Sequence, residues 1–88
     1  MKYTYNKDSL KRGKVTPPEC LEVLADDTKA EIDEDYSKRG FKRTMYVGKT
    51  NLDRCLEVGV EFFSDDHEHI YHARKAKKAT KERAGYEE

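Results

Sequence analysis

From Cys55 to Phe62 the chain alternates without a break. Leu56, Val58, Val60 and Phe62 fall on one side, and Cys55, Glu57, Gly59 and Glu61 on the other. A period of two places one set on each face of an extended strand, so this segment reads as a half-buried strand. A strand with one apolar and one polar face belongs to an antiparallel sheet covered on one side. The same pattern recurs from Phe41 to Gly48, where Phe41, Arg43, Met45 and Val47 alternate with Lys42, Thr44, Tyr46 and Gly48. His69 to Arg74 supplies a third strand. The connections between them, Lys49-Thr50-Asn51 with Leu52 and Asp53, and Ser64 to Glu68, are turn-like. Three strands joined this way make a meander.

The flanks are helical or short. Tyr3 and Tyr5 alternate with Lys2 and Thr4 as a first strand, and Asn6 to Gly13 reads as a turn of helix closed by Gly13. Thr16-Pro17-Pro18-Glu19 is a strong local signal. Thr16 suits the N-cap, Pro17 stands where its missing N–H costs nothing, and Glu19 completes a capping box. Cys20, Leu21, Val23, Leu24 and Ala25 then give an apolar face at helical spacing, and Asp26-Asp27 ends the helix. Thr28 to Asp33 reads as an edge strand with Ala30 and Ile32 on one face, and Asp33 to Gly40 as a polar loop. From Ala76 to Tyr86 helix formers dominate, interrupted by Gly85. The expectation is a single α+β domain over residues 1–88: an antiparallel meander with N-terminal helical segments and a C-terminal helix.

A chain of 88 residues with 41% charged and 35% hydrophobic residues has a small core, so a partner or dimer contact is expected to help it. Six Tyr, three Phe and the alternating runs give too much pattern for a disordered chain. No apolar stretch approaches the roughly 20 residues of a membrane helix, and the opening residues lack a signal-peptide core. A soluble, cytoplasmic protein is expected. Cys20 and Cys55 cannot form a disulfide framework, and they read as buried or half-buried thiols in a reducing compartment.

The net charge of zero hides segregation. Lys2, Lys7, Lys11, Arg12 and Lys14 cluster near the start. Glu19, Glu22, Asp26, Asp27, Glu31, Asp33, Glu34 and Asp35 form an acidic belt that faces solvent or a basic partner. Arg74, Lys75, Lys77, Lys78, Lys81 and Arg83 form a basic run that ends near Tyr86. A local basic field attracts polyanions even at zero net charge.

Several terminal motifs resemble the BrnT family of ribonuclease toxins from bacterial type II toxin–antitoxin pairs, within the RelE/ParE-like group. Ala73-Arg74-Lys75-Ala76 is similar to the family's closing-strand motif. Glu82-Arg83-Ala84-Gly85-Tyr86-Glu87 is similar to its final helix. Tyr3, Tyr5, Asn6-Lys7 and Lys11-Arg12-Gly13 follow the order of its opening. Arg12 stands where the family has His, and His72 where it has Ser. Two registers are open across residues 75–82.

The resemblance implies a RelE/ParE-like fold and an RNA substrate. It also implies a BrnA-like antitoxin as partner, in a dimer or a heterotetramer with two copies of each chain, and arrest of translation. Cleavage without a metal or other cofactor needs an activated 2′-hydroxyl, a stabilised phosphorane and a protonated leaving oxygen. Arg74 and Arg83 are expected to hold the scissile phosphate, with Lys75 adding charge. Glu82 or His72 would act as base, and Tyr86 would stack on a base or donate a proton. Lys77, Lys78, Lys81, Lys11 and Arg12 would bind the RNA backbone. The structural alternatives are that Tyr86 anchors its helix, Glu82 pairs with Lys78 and Lys77 faces solvent. The functional alternatives are a non-catalytic protein- or nucleic-acid-binding module and a DNA-binding regulator using the last helix.

His67, His69 and His72 with Asp65, Asp66 and Glu68 match no standard metal spacing and are expected as a turn followed by a strand. Gly48-Lys49-Thr50 lacks the glycine-rich turn and helix of a phosphate-binding loop.

Overall fold

The computed structural model describes residues 1–87. In chain order it contains β1 (Lys2–Tyr5), α1 (Lys7–Gly13), α2 (Pro17–Ala25), β2 (Ala30–Glu34), β3 (Lys42–Lys49), β4 (Cys55–Ser64), β5 (His67–Lys75) and α3 (Lys78–Ala84). Five strands form one sheet in the order β1-β5-β4-β3-β2.

Strands β2 to β5 are a continuous antiparallel meander. The sheet as a whole is mixed, which corrects the all-antiparallel expectation. β1 pairs in parallel with β5, from Lys2 opposite His67 to Tyr5 opposite Ile70. A parallel pair needs a long crossover, and here the crossover is almost the entire intervening chain.

Alternation gives the sheet two faces. Leu56, Val58 and Val60 of β4, with Ile70 and Ala73 of β5, pack on the front against Leu10 of α1, Val15, and Cys20 and Val23 of α2. All are buried, and each Val, Leu or Ile side chain among them contributes about 1.5–3 kcal/mol. The back is partly covered by α3, which packs on β2 and β3. Val47 is fully buried, and by alternation it lies on this side.

The capping box forms as expected. The Thr16 side chain accepts from the Glu19 N–H, and Glu19 accepts from the Thr16 N–H at 3.0 Å. Gly13 plays a different role from the helix-closing one expected. The left-handed residue is Lys14 (φ 56°). Gly13 lets α1 approach β5 so closely that a Cβ would run into the carbonyl oxygen of Ala73. At the far end Gly85 (φ 67°) does close α3, which is shorter than the sequence pattern suggested.

β5 starts at His67, two residues earlier than expected, so His67 belongs to the strand and not to the turn before it. Its pairing with β4 slips between Gly59 and Val60, leaving Tyr71 as an extra residue. The Tyr71 ring lies over Gly59, where a Cβ would come within 2.7 Å of its Cζ.

The acidic belt is only partly solvent-facing. Glu19 pairs with Arg54 at 2.9 Å, Asp26 accepts the Lys49 N–H at 2.9 Å, and Glu34 pairs with Arg83 at 3.2 Å. No helix among the described residues is long and apolar enough to cross a membrane.

Candidate active-site groove

β1 accompanies β5 only as far as Ile70. Beyond it the outer edge of β5 has no strand beside it, and α1 packs there instead. The gap between them is a groove of about 420 Å³ lined by Ser9, Arg12, His72, Arg74 and Lys75 among others. Arg12 donates to Ser9 Oγ at 3.2 Å, which sets the guanidinium along the helix surface.

His72 is anchored from below. Its Nε2 lies 2.8 Å from Glu57 Oε2, across the strand pair. Glu57 Oε1 accepts the Lys77 N–H at 3.0 Å. Burial by itself would raise the Glu57 carboxyl. Hydrogen bonds from His72, the Lys77 N–H and the Thr80 hydroxyl outweigh it and bring the pKa down to about 2. Glu57 is therefore a carboxylate at neutral pH and can only accept hydrogen bonds. His72 Nε2 must then carry the proton of that hydrogen bond, and in the neutral imidazole Nδ1 is the proton acceptor. The groove thus lies at the edge of β5, where His72 and Arg74 from the back face and Lys75 from the front border the same opening as Arg12. That set can remove a proton from a hydroxyl beside a bound phosphodiester.

The residues expected to form one site are spread over two. Arg12, Arg74 and Lys75 share the groove, and Lys11, beside Arg12 on α1, is exposed. Arg83 is held at Glu34 on β2, three strands from β5. With strands spaced at about 4.8 Å, the anchors of Arg74 and Arg83 lie about 14 Å apart across the sheet. They also occupy different rungs, since Arg74 stands opposite Glu57 while Glu34 stands opposite Arg43, which faces Glu61. The two guanidiniums are not brought together. The physical reason is that α3 turns over the back of the sheet toward β2 rather than beside the end of β5.

Tyr86 is also away from the groove. Burial raises its phenol pKa, as does its neighbour Cys55, whose thiol shares a hydrogen bond with it. It anchors the end of the chain to the sheet. Glu82 and Lys78 are exposed on α3, as is the Lys77 residue that begins it, and Lys81 is half-buried. The Lys77 backbone N–H is held by Glu57.

The three histidines separate in the same way. His67 Nε2 and His69 Nδ1 meet the Thr4 hydroxyl at 2.8 and 2.7 Å, while His72 turns to Glu57. No group of three or more His, Cys, Asp or Glu among the described residues is placed to hold a metal ion. Cys20 is a core residue whose thiol is pushed up to about 12, mainly by burial.

Glu57 is the residue of the candidate site that sequence reasoning missed. It sits at a polar position of an alternating strand and reads as solvent-facing. The signal available was its place directly opposite Arg74 once the β4–β5 register is drawn. In comparisons with known proteins, no family model and no curated protein matches the chain.

Proposed function

We propose that the protein is a ribonuclease that cuts single-stranded RNA in the β5–α1 groove. The His72–Glu57 pair at 2.8 Å, opening onto Arg12 and Arg74, is the observation that carries this reading. Arg12 and Arg74 hold the scissile phosphate and offset the charge of the phosphorane. His72 Nδ1 takes the proton from the 2′-hydroxyl as that oxygen attacks phosphorus. The P–O5′ bond breaks, and the departing oxygen takes a proton from water at the open groove. The products are a 2′,3′-cyclic phosphate and a 5′-hydroxyl.

The similarity of the terminal motifs to BrnT toxins extends the proposal. In that extension the fold is RelE/ParE-like, and the protein is the toxin of a cytoplasmic type II pair. Cutting RNA arrests translation, and a BrnA-like antitoxin neutralises the toxin by covering the basic groove. Arg83, held at Glu34, serves to dock α3 and takes no part in phosphate binding.

The test is to incubate the purified chain with total RNA in EDTA and to analyse fragment ends. Cyclic phosphates are expected, and His72→Gln should slow cutting by about 10²- to 10⁴-fold. Undiminished cutting by that variant overturns the mechanism. RNA that is bound but left intact by the unaltered protein moves the reading to a non-catalytic nucleic-acid-binding module.

A further inference from the structure

The back of the sheet carries a second cluster that the cleavage groove does not use. Phe63 stacks on His69 with ring centroids 5.0 Å apart and 9° between planes, and it meets Phe41 at 4.7 Å. Arg39 lies 5.7 Å from the Phe41 ring and 5.9 Å from the Phe63 ring. Arg43 lies 5.3 Å over Tyr71, the residue that the β-bulge sets above Gly59. Lys38, Arg39, Arg43, Phe63 and His69 line an open groove of about 410 Å³, with Glu61 as the acid among them.

This cluster continues toward the cleavage groove. His69, Tyr71 and His72 follow one another along β5, and three residues of strand span about 10 Å. The order along β5 is therefore a cation–aromatic platform, then Tyr71 under Arg43, then His72 and Arg74. Half-buried aromatic rings interleaved with guanidiniums suit nucleobases and their phosphates, because every base has a face to stack and every linkage has a charge to pair.

The platform is tied to β1. Thr4 bridges His67 and His69 from β1, its hydroxyl lying within hydrogen-bonding distance of a ring nitrogen of each. Burial lowers the pKa of His69, and His67 and Arg39 lower it further, against the opposing pull of Glu61.

We infer that the back face of β5 is a track for the same single-stranded RNA, with Phe63, His69, Arg39 and Arg43 stacking and pairing nucleotides flanking the one cut at His72. The inference rests on the ribonuclease reading for the identity of the strand, but its test does not use cleavage.

Fluorescence anisotropy with a fully 2′-O-methylated RNA octamer, which cannot be cut, measures binding alone. Arg39→Ala and Phe63→Leu are each expected to weaken binding by about 5-fold or more, the loss of one stacked or paired nucleotide. Arg39→Ala should also make the salt dependence shallower by about 0.7 in the logarithmic slope. Arg39 is exposed, so that variant keeps the core intact. Affinity unchanged within twofold in Arg39→Ala, with an unchanged slope, overturns the track. Loss of affinity in a protein that never cuts RNA preserves the track and removes the catalytic proposal instead.

Discussion

At Glu57 two opposing effects act on one carboxyl, and the hydrogen bonds win over burial. The sign of the consequence follows from linkage. A carboxyl whose pKa falls from an ordinary 4.5 to about 2 on folding stabilises the native state above pH 4.5 and loses that contribution as pH falls toward 2. The contribution is on the order of 3 kcal/mol. Replacing Glu57 with Gln should therefore lower stability at pH 7 and flatten the decline between about pH 4.5 and 2, read by denaturant titration at each pH. Gly13 makes a steric prediction at the same scale. The carbonyl oxygen of Ala73 occupies the space a Cβ would need, and that atom is backbone in the middle of β5. Gly13→Ala should cost about 1–3 kcal/mol by the same measurement, as overpacking does. The sequence marks Gly13 as special but gives the wrong reason. A glycine near a helix end suggests a left-handed cap, whereas the need for close approach to a strand some sixty residues away leaves no local trace.

Among the elements, α2 shows how a local signal gains a distant role. Thr16 and Glu19 form the capping box that the spacing predicts, and Glu19 also pairs with Arg54 in the loop between β3 and β4. Arg54 in turn donates to the Lys14 carbonyl at 3.1 Å. Thr16→Ala should cost about 1 kcal/mol, the ordinary value of a lost cap. Glu19→Ala should cost more, because it removes the box and the tie to Arg54 together. Equal losses in thermal or chemical unfolding would show that the Arg54 pair is inert. Elements of this kind were legible: β3, β4 and α2 are fixed by alternation, capping and stop residues within a few positions. The pairing of β1 was not, because four residues with two tyrosines carry no mark of which strand they join or in which direction. Nor was the course of α3. Its apolar residues are alanines, and they do not distinguish packing beside β5 from packing over β2 and β3. That single ambiguity separates Arg74 in the groove from Arg83 at Glu34, where one site was expected.

Across the whole molecule, the seam between the first strand and the last contains a group whose titration is coupled to folding, His69 beside Thr4. The depressed pKa of His69 means that folding favours its neutral form. Its contribution is complete above the ordinary imidazole value of about 6.5 and is lost as pH falls below it. His69→Gln should therefore reduce the slope of stability against pH between about 7 and 5, followed by chemical denaturation. An unchanged slope would place that titration elsewhere. The arrangement also has a temporal side. A ribosome delivers Lys2–Tyr5 some sixty residues before His67–Lys75, yet these two segments lie side by side in the finished sheet. Arg12 is translated long before Arg74, and neither has a groove to line until the fifth strand has emerged. The nascent chain is thus without this groove until that strand has emerged, and a chain cut short before it lacks the lining that His72, Arg74 and Lys75 supply.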